Sequence, residues 1–310
     1  MSGEVAVLCG GLGGSRLVDA LARAAGPARV TAIANVGDDL EMLGLHVSPD
    51  LDTVLYTLAG LLDEGRGWGV RDESYAVLRQ AERLGAETWF TLGDRDIGLH
   101  LVRGEHLGRG EPLSAATARL ARALGVAVSI LPATDDRLRT FVATDGGELD
   151  FQTWFVRRRH ADPVCGVRYE GAEVARPAPG VLEALEHAAA VVLAPSNPFV
   201  SIGPILAVPG IRGVLERHPL VAAVSPLVGG RAIRGPLAGM METLGHGPGA
   251  LGVARLYGGL VDVFVLDLAD ASVAPEVAAL GMRPVVCETV MVDPERRAEI
   301  GRQVLEGVLG

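Results

Sequence analysis

Short apolar, β-branched runs alternate along most of the chain with stretches of helical period. Residues 5–8 and 30–34 are short runs, apolar but for Thr31, the pattern of strands covered on both faces. Each is followed by a segment, 16–24 and 51–62, whose apolar residues recur at helical spacing. The rhythm returns late, with strand-like runs at 190–193, 221–224, 261–266 and 285–286 and helical ones at 211–217, 250–256, 273–279 and 294–309. Strand, helix, strand in repetition implies right-handed crossovers and a sheet clothed in helices on both sides. The pattern predicts an α/β fold, a Rossmann-like, doubly wound and mainly parallel sheet.

The middle third reads differently. Residues 73–84 and 114–124 have the spacing of amphipathic helices, whereas 141–144, 149–156 and 164–169 read as strands, with Asp145-Gly146-Gly147 as the turn between the first two. We expect 64–178 to be an inserted, smaller α+β cap domain, and 1–63 with 179–310 to form a nucleotide-binding core, re-entered near 177–180. A chain of 310 residues, 49% hydrophobic, can bury one large core or two modest ones.

Composition narrows the chemistry. A net charge of −10 argues against nucleic acid or an anionic membrane as partner, since both need clustered positive potential. All 28 basic residues are arginine, which excludes a P-loop lysine, a Schiff-base lysine and a lysine general base. Cys9, Cys165 and Cys287 show no CxxC spacing, so neither zinc nor a disulfide framework is signalled and a reducing cytoplasm is expected. The first residues lack signal-peptide character, and the longest apolar stretch, 188–211, is broken by Ser196, Asn197 and four prolines. No membrane span is expected.

The first strand runs into LCGGLGGSRLVDAL, residues 8–21. Gly10, Gly11, Gly13 and Gly14, with Ser15, suit a turn whose backbone approaches a phosphate at a helix N-terminus; a tight strand-to-helix turn without ligand is the alternative. Gly11 and Gly13 fit the dinucleotide fingerprint, but Arg16 stands where its third glycine belongs and Asn35 replaces the ribose-binding acid. A nicotinamide cofactor is thereby disfavoured, and Arg16 suggests pairing with a pyrophosphate. Asp38 and Asp39 follow the second strand, and Asp50 and Asp52 follow the helix-start signal Ser48-Pro49. Carboxylates in a first helical turn commonly just complement the dipole. Four of them facing a phosphate turn imply a bridging divalent cation, magnesium. A helix from Pro49 puts Asp50 and Asp52 on different faces, so we expect one of them, Asp50, to enter the pocket.

Two further loops at strand ends carry polar clusters: Ser196, Asn197, Ser201 and Gly203 between stiffening prolines, and 225–236 with Arg231 and Arg234. In the middle third, WFTLGDRDIGLHLVR groups Asp94, Arg95, Asp96 and His100. Arg95 could bind a heteroaromatic edge or a phosphate, whereas a helical His100 is more simply a packed or capping residue. Residues 134–137 and 151–159 are additional candidates.

Taken together, GGLGG, NVGDD, PDLDTVLYTLAG, WFTLGDRD, LPATDDR, FQTWFV, LAPSNPFVSIGPIL and SPLVGG resemble the 2-phospho-L-lactate transferase family of coenzyme F-420 biosynthesis. The resemblance runs from Leu8 to about Asp267 and implies a magnesium-dependent enzyme, a homodimer in that family. It passes the phospho-acid of a guanosine diphosphate conjugate to the ribityl hydroxyl of the deazaflavin Fo, releasing GMP. It assigns Asp50 to metal or Fo, Arg95 to Fo, and the Gly10–Ser15 turn with Ser196-Asn197 to the guanosine diphosphate. Gly13-Gly14-Ser15 resembles the actinobacterial branch, associated with a phosphoenolpyruvate-derived donor. The alternative is a non-catalytic UDP-sugar-binding regulator of the same fold, for which Asp94 and Arg95 would have no second substrate to hold.

Overall fold

A computed structural model describes residues 3–233 and 235–310; Met1, Ser2 and Arg234 lie outside the described residues. Seven strands form the central sheet: β1 (Val5–Cys9), β2 (Val30–Ala34), β3 (Ser129–Pro132), β4 (Ala190–Leu193), β5 (Val221–Val224), β6 (Val263–Asp267) and β7 (Arg283–Cys287). Their order is β3-β2-β1-β4-β5-β6-β7, and every neighbouring pair is parallel. All residues of β1, β4, β5 and β6 are buried, which is why these runs are apolar without alternation. The order reverses between β1 and β4, and a ligand crevice opens beyond the carboxyl ends of strands at such a point.

Helix α1 (Gly11–Ala25) leaves β1 through the glycine turn, and α2 (Pro49–Leu58) follows a small hairpin, Leu40–Met42 with Leu45–Val47. Helices α3 (Asp94–Gly108), α4 (Leu113–Ala123) and α5 (Arg297–Leu309) complete the elements that matter for the site. Among the described residues no helix is long and apolar enough to cross a membrane.

The expected insertion differs from the fold at its middle. Residues 64–178 are not one excursion, because β3 lies within them and joins the edge of the core sheet, paired with β2 from Thr31–Ser129 to Ala34–Pro132. Leu120 and Ala121 of α4 belong to the same main core. A three-stranded antiparallel sheet, Gly147–Asp150, Arg139–Thr144 and Val164–Glu170, is separate from the central one, and Val142, Phe151, Trp154 and Val164 cluster with Val200 and Met240 from the core half of the chain.

The strand expected at 149–156 is also corrected. It stops at Asp150, whose carboxylate accepts from the Thr153 amide at 3.0 Å, and the chain coils over Thr153–Arg157. Phe151 and Phe155 then stack, 5.3 Å apart and 8° from parallel, as residues one helical turn apart can.

Candidate functional site

A cavity of about 750 Å³ opens at the carboxyl ends of β1, β2 and β4. The glycine turn forms one wall, and its close packing explains its composition. A Cβ on Gly10 would collide with Asp50 Oδ2, one on Gly13 would lie 2.5 Å from the Pro195 carbonyl oxygen, and one on Gly14 2.6 Å from Ser196 Oγ. Gly11 adds a left-handed φ of +62°, which glycine adopts without steric cost. The Gly11 amide donates to Asp50 Oδ1 at 2.5 Å. Ser196 Oγ accepts from the Gly10 amide at 3.1 Å and donates to the Gly10 carbonyl at 2.7 Å.

Asn35 is the hub of the acidic wall. Its Nδ2 donates to Asp50 Oδ2 at 2.9 Å and reaches Asp38 Oδ1 at 3.3 Å, while its Oδ1 accepts from the Gly37 amide at 2.8 Å. Gln152 Nε2 donates to Asp38 Oδ2 at 3.2 Å. Burial pushes the Asp50 carboxyl up to about 6, against the bonds from Asn35 and Gly11 and with the charges of Asp39 and Asp52. Burial, with the charges of Asp50 and Asp39, holds Asp38 well above the carboxylate range.

A raised folded-state value means that the native chain binds the extra proton, so the stability it confers is present at low pH and lost as pH rises through about 6 for Asp50. Asp38→Asn, unfolded with urea in EDTA, is therefore expected to gain stability relative to wild type as pH rises from 5 to 7.5. A gap that does not widen with pH would show that no such strain is stored at Asp38.

Asp52 lies on the other face of α2, as its spacing predicts, yet it too reaches the cavity wall. It is committed there to Arg103 of α3. Arg103 Nη1 donates to Asp52 Oδ2 at 3.1 Å, Arg103 Nη2 bonds Oδ1, and the Ser48 amide adds a bond of 3.2 Å to Oδ2. Beside this pair, the fully buried His100 lies 3.3 Å from Asp96 Oδ1, which accepts the Tyr56 hydroxyl. Arg16 reaches Glu64 at 2.7 Å, and Glu64 also takes Arg297 of α5 at 2.5 Å. Partial burial would raise Glu64, but the bonds from Arg16 and Arg297 outweigh it and lower the carboxyl.

Of the residues singled out from sequence, the cavity gathers Gly10, Gly11, Gly13 and Arg16 from the turn. It also gathers Asp38, Asp50 and Asp52 from the acidic loops, and Ser196, Asn197 and Ser201 from the loop after β4. Behind the walls stand Gly14, Asn35, Ser15, which accepts from Thr57 Oγ1 at 2.9 Å, and Asp39, which accepts from Ser48 Oγ at 2.5 Å and faces His46 Nε2 at 3.0 Å. Asp94 and Arg95 are not brought to the lining. Asp94 accepts from Ser74 Oγ and from the Ala76 and Val77 amides, fastening that segment to α3, and the exposed Arg95 donates to the Arg71 carbonyl at 3.0 Å. Arg103 and Tyr56 went unread in the sequence, and Gln152 was covered only by the segment 151–159. The spacing of Asp96, His100 and Arg103 along one helix face was the available signal for the first of these.

Fold and cavity define a Rossmann-like protein with its ligand site at the switch point of a doubly wound sheet. A solved UPF0052-family protein from Bacillus halodurans shares the fold, with a TM-score of 0.62 over 98% of this chain and 99% of that one at 17% identity. The family model described as 2-phospho-L-lactate transferase CofD matches residues 5–309. A phosphoenolpyruvate transferase of Streptomyces griseus is 44% identical over 310 residues, covering 98% of each chain. A 2-phospho-L-lactate transferase of Methanopyrus kandleri is 38% identical over 309 residues, covering 98% of this chain and 97% of its own. The chain belongs to the 2-phospho-L-lactate transferase CofD family, and it is an enzyme, a transferase of phospho-acids, not the non-catalytic regulator held as the alternative.

Proposed function

We propose that the chain transfers a phospho-acid in coenzyme F-420 biosynthesis. Its donor is the guanosine diphosphate conjugate of enolpyruvyl phosphate or 2-phospho-L-lactate and its acceptor the ribityl hydroxyl of Fo; the products are dehydro-F-420-0 or F-420-0, and GMP. The observation that carries this reading is a cavity joining a helix N-terminus, an acidic wall and an apolar side lined by Phe151, Phe155, Phe90 and Trp68. That volume and lining suit a nucleotide and a flat second substrate together. Gly11 spends its amide on Asp50, so the next amides of the turn, at Leu12 and Gly13, with Arg16, are the groups left to meet the diphosphate.

Magnesium fits the acidic wall. Two buried carboxylates with raised affinity for protons share one amide donor at Asn35, and their hard oxygens suit a hard cation. Among the described residues no group of three His, Cys, Asp or Glu side chains forms a cage; magnesium held by one or two carboxylates and substrate phosphate oxygens needs none. Asp50 and Asp38 would hold it, and when bound it supplies charge neutralisation at the diphosphate. Asp52, committed to Arg103, is assigned to the wall instead of the metal. Arg16 steadies the phosphates, and the glycine turn orients them for in-line displacement.

The higher identity to the Streptomyces phosphoenolpyruvate transferase than to the Methanopyrus enzyme supports the enolpyruvyl donor. We place the enzyme in the cytoplasm as a homodimer, which light scattering checks. Incubating the protein with Fo, magnesium and each guanylylated donor, then weighing the deazaflavin product, decides the reaction. The expected product is the dehydro form; no phosphorylated deazaflavin from either donor would overturn the proposal.

A further inference from the structure

Four carboxylates line the cavity, Asp38, Asp50, Asp52 and Asp96. Each oxygen of the first three already accepts a hydrogen bond: Asp38 from Asn35 and Gln152, Asp50 from Gly11 and Asn35, Asp52 from Arg103 on both sides. Asp96 is different. Its Oδ1 holds the Tyr56 hydroxyl, while its Oδ2 has no hydrogen-bond donor among the described residues, and the side chain keeps 10% of its surface exposed in the cavity wall. His100, fully buried, sets its Nε2 3.3 Å from Oδ1, too poorly aligned for a hydrogen bond, and that nitrogen has no other partner among the described residues. Tyr56 packs in one cluster with Leu12 of the glycine turn. Leu12, Arg16, Tyr56 and Asp96 all line the same cavity.

Resting on the transfer reading above, we infer that Asp96 is the catalytic residue that takes the proton of the attacking hydroxyl. The hydroxyl oxygen of the acceptor forms a bond to the phosphorus bearing the small acid. The bond from that phosphorus to the GMP oxygen breaks, its electron pair leaving on GMP, and the hydroxyl proton passes to Asp96 Oδ2. Tyr56 is a positioning residue that fixes Oδ1 and so turns Oδ2 toward the cavity. Asp50 keeps the role proposed above, holding the cation with Asp38.

The test compares full-length wild type with Asp96→Asn, an isosteric change that leaves Tyr56 an acceptor. Positioned proton transfer contributes roughly 10²–10⁴-fold, so kcat is expected to fall by about that factor, with GDP affinity and the KM for Fo changed less than about threefold. Asp96→Glu should recover part of the loss. A kcat within about threefold of wild type, or a loss confined to the KM for Fo, overturns the assignment. Wild type that yields no deazaflavin product overturns the transfer reading and this step with it, a separate result. A drop in kcat accompanied by a lost melting transition would be set aside for Tyr56→Phe, which must then lower kcat without weakening GDP binding or the assignment fails.

Discussion

Asp50→Asn should abolish most turnover, by roughly 10³-fold, while leaving the fold intact. Neutralising the carboxylate proposed to anchor a divalent cation forfeits several kcal/mol of transition-state stabilisation, and each 1.36 kcal/mol is a factor of ten. The stability side runs the other way. Asp50 is buried beside Asp38 and its carboxyl is pushed up to about 6, so removing its charge relieves repulsion in the metal-free protein. The substituted carboxamide keeps an oxygen for the Gly11 amide and loses the bond from Asn35 Nδ2, which offsets part of that relief. The expected signature is a nearly dead enzyme with an unchanged or higher Tm in EDTA, and without the rise in Tm that the proposed magnesium site predicts for wild type. Near-normal kcat would remove Asp50 from the chemistry, and a Tm that collapses would make it a structural group.

The largest effect on folding is expected at Arg103→Met. The guanidinium is completely buried and covers both oxygens of Asp52. Burial alone would lower its pKa, but the neighbouring Asp52 charge and hydrogen bonds raise it. Taking away one partner of such a pair leaves an uncompensated charge, at a cost of about 3–5 kcal/mol. Urea unfolding at pH 7.5 should register that loss. Asp52→Leu combined with Arg103→Met should regain most of it, since replacing a buried pair by apolar side chains is often neutral. A double variant as unstable as the single one would mean that Arg103 acts through packing and not through its charge.

Most of the sheet could be read from the chain because its strands are buried on both faces. The expected bounds of the strands at 30–34, 190–193 and 221–224 match those observed. Ser129–Pro132 escaped notice for a physical reason. It is an edge strand of four residues ending on proline, with an exposed Ser129, and an edge position needs neither a full apolar run nor every amide. At 151–157, aromatic residues fit a strand or a turn of helix equally well; the Phe151–Phe155 stack and the Asp150 cap tip the balance toward coiling.

The site was legible where a loop at a strand end declares itself, as with Gly10, Asp50 and Ser196. It was not legible where a partner comes from far along the chain. Nothing local says that Asp52 meets an arginine 51 positions on. The LGDRD segment stood out in the sequence, yet α3 turns Asp96 and His100 inward and leaves Asp94 and Arg95 to fasten its outer side.

The ionic chain from Arg16 through Glu64 to Arg297 ties the wall of the pocket to a helix 233 positions beyond Glu64. Arg297 is also anchored to Asp19 at 3.1 Å and to the Met291 carbonyl, so the tail works as a brace for the opening helix. Clipping the polypeptide ahead of Arg297 would spare every group that lines the acidic wall, yet slacken the arm proposed to steady a phosphate.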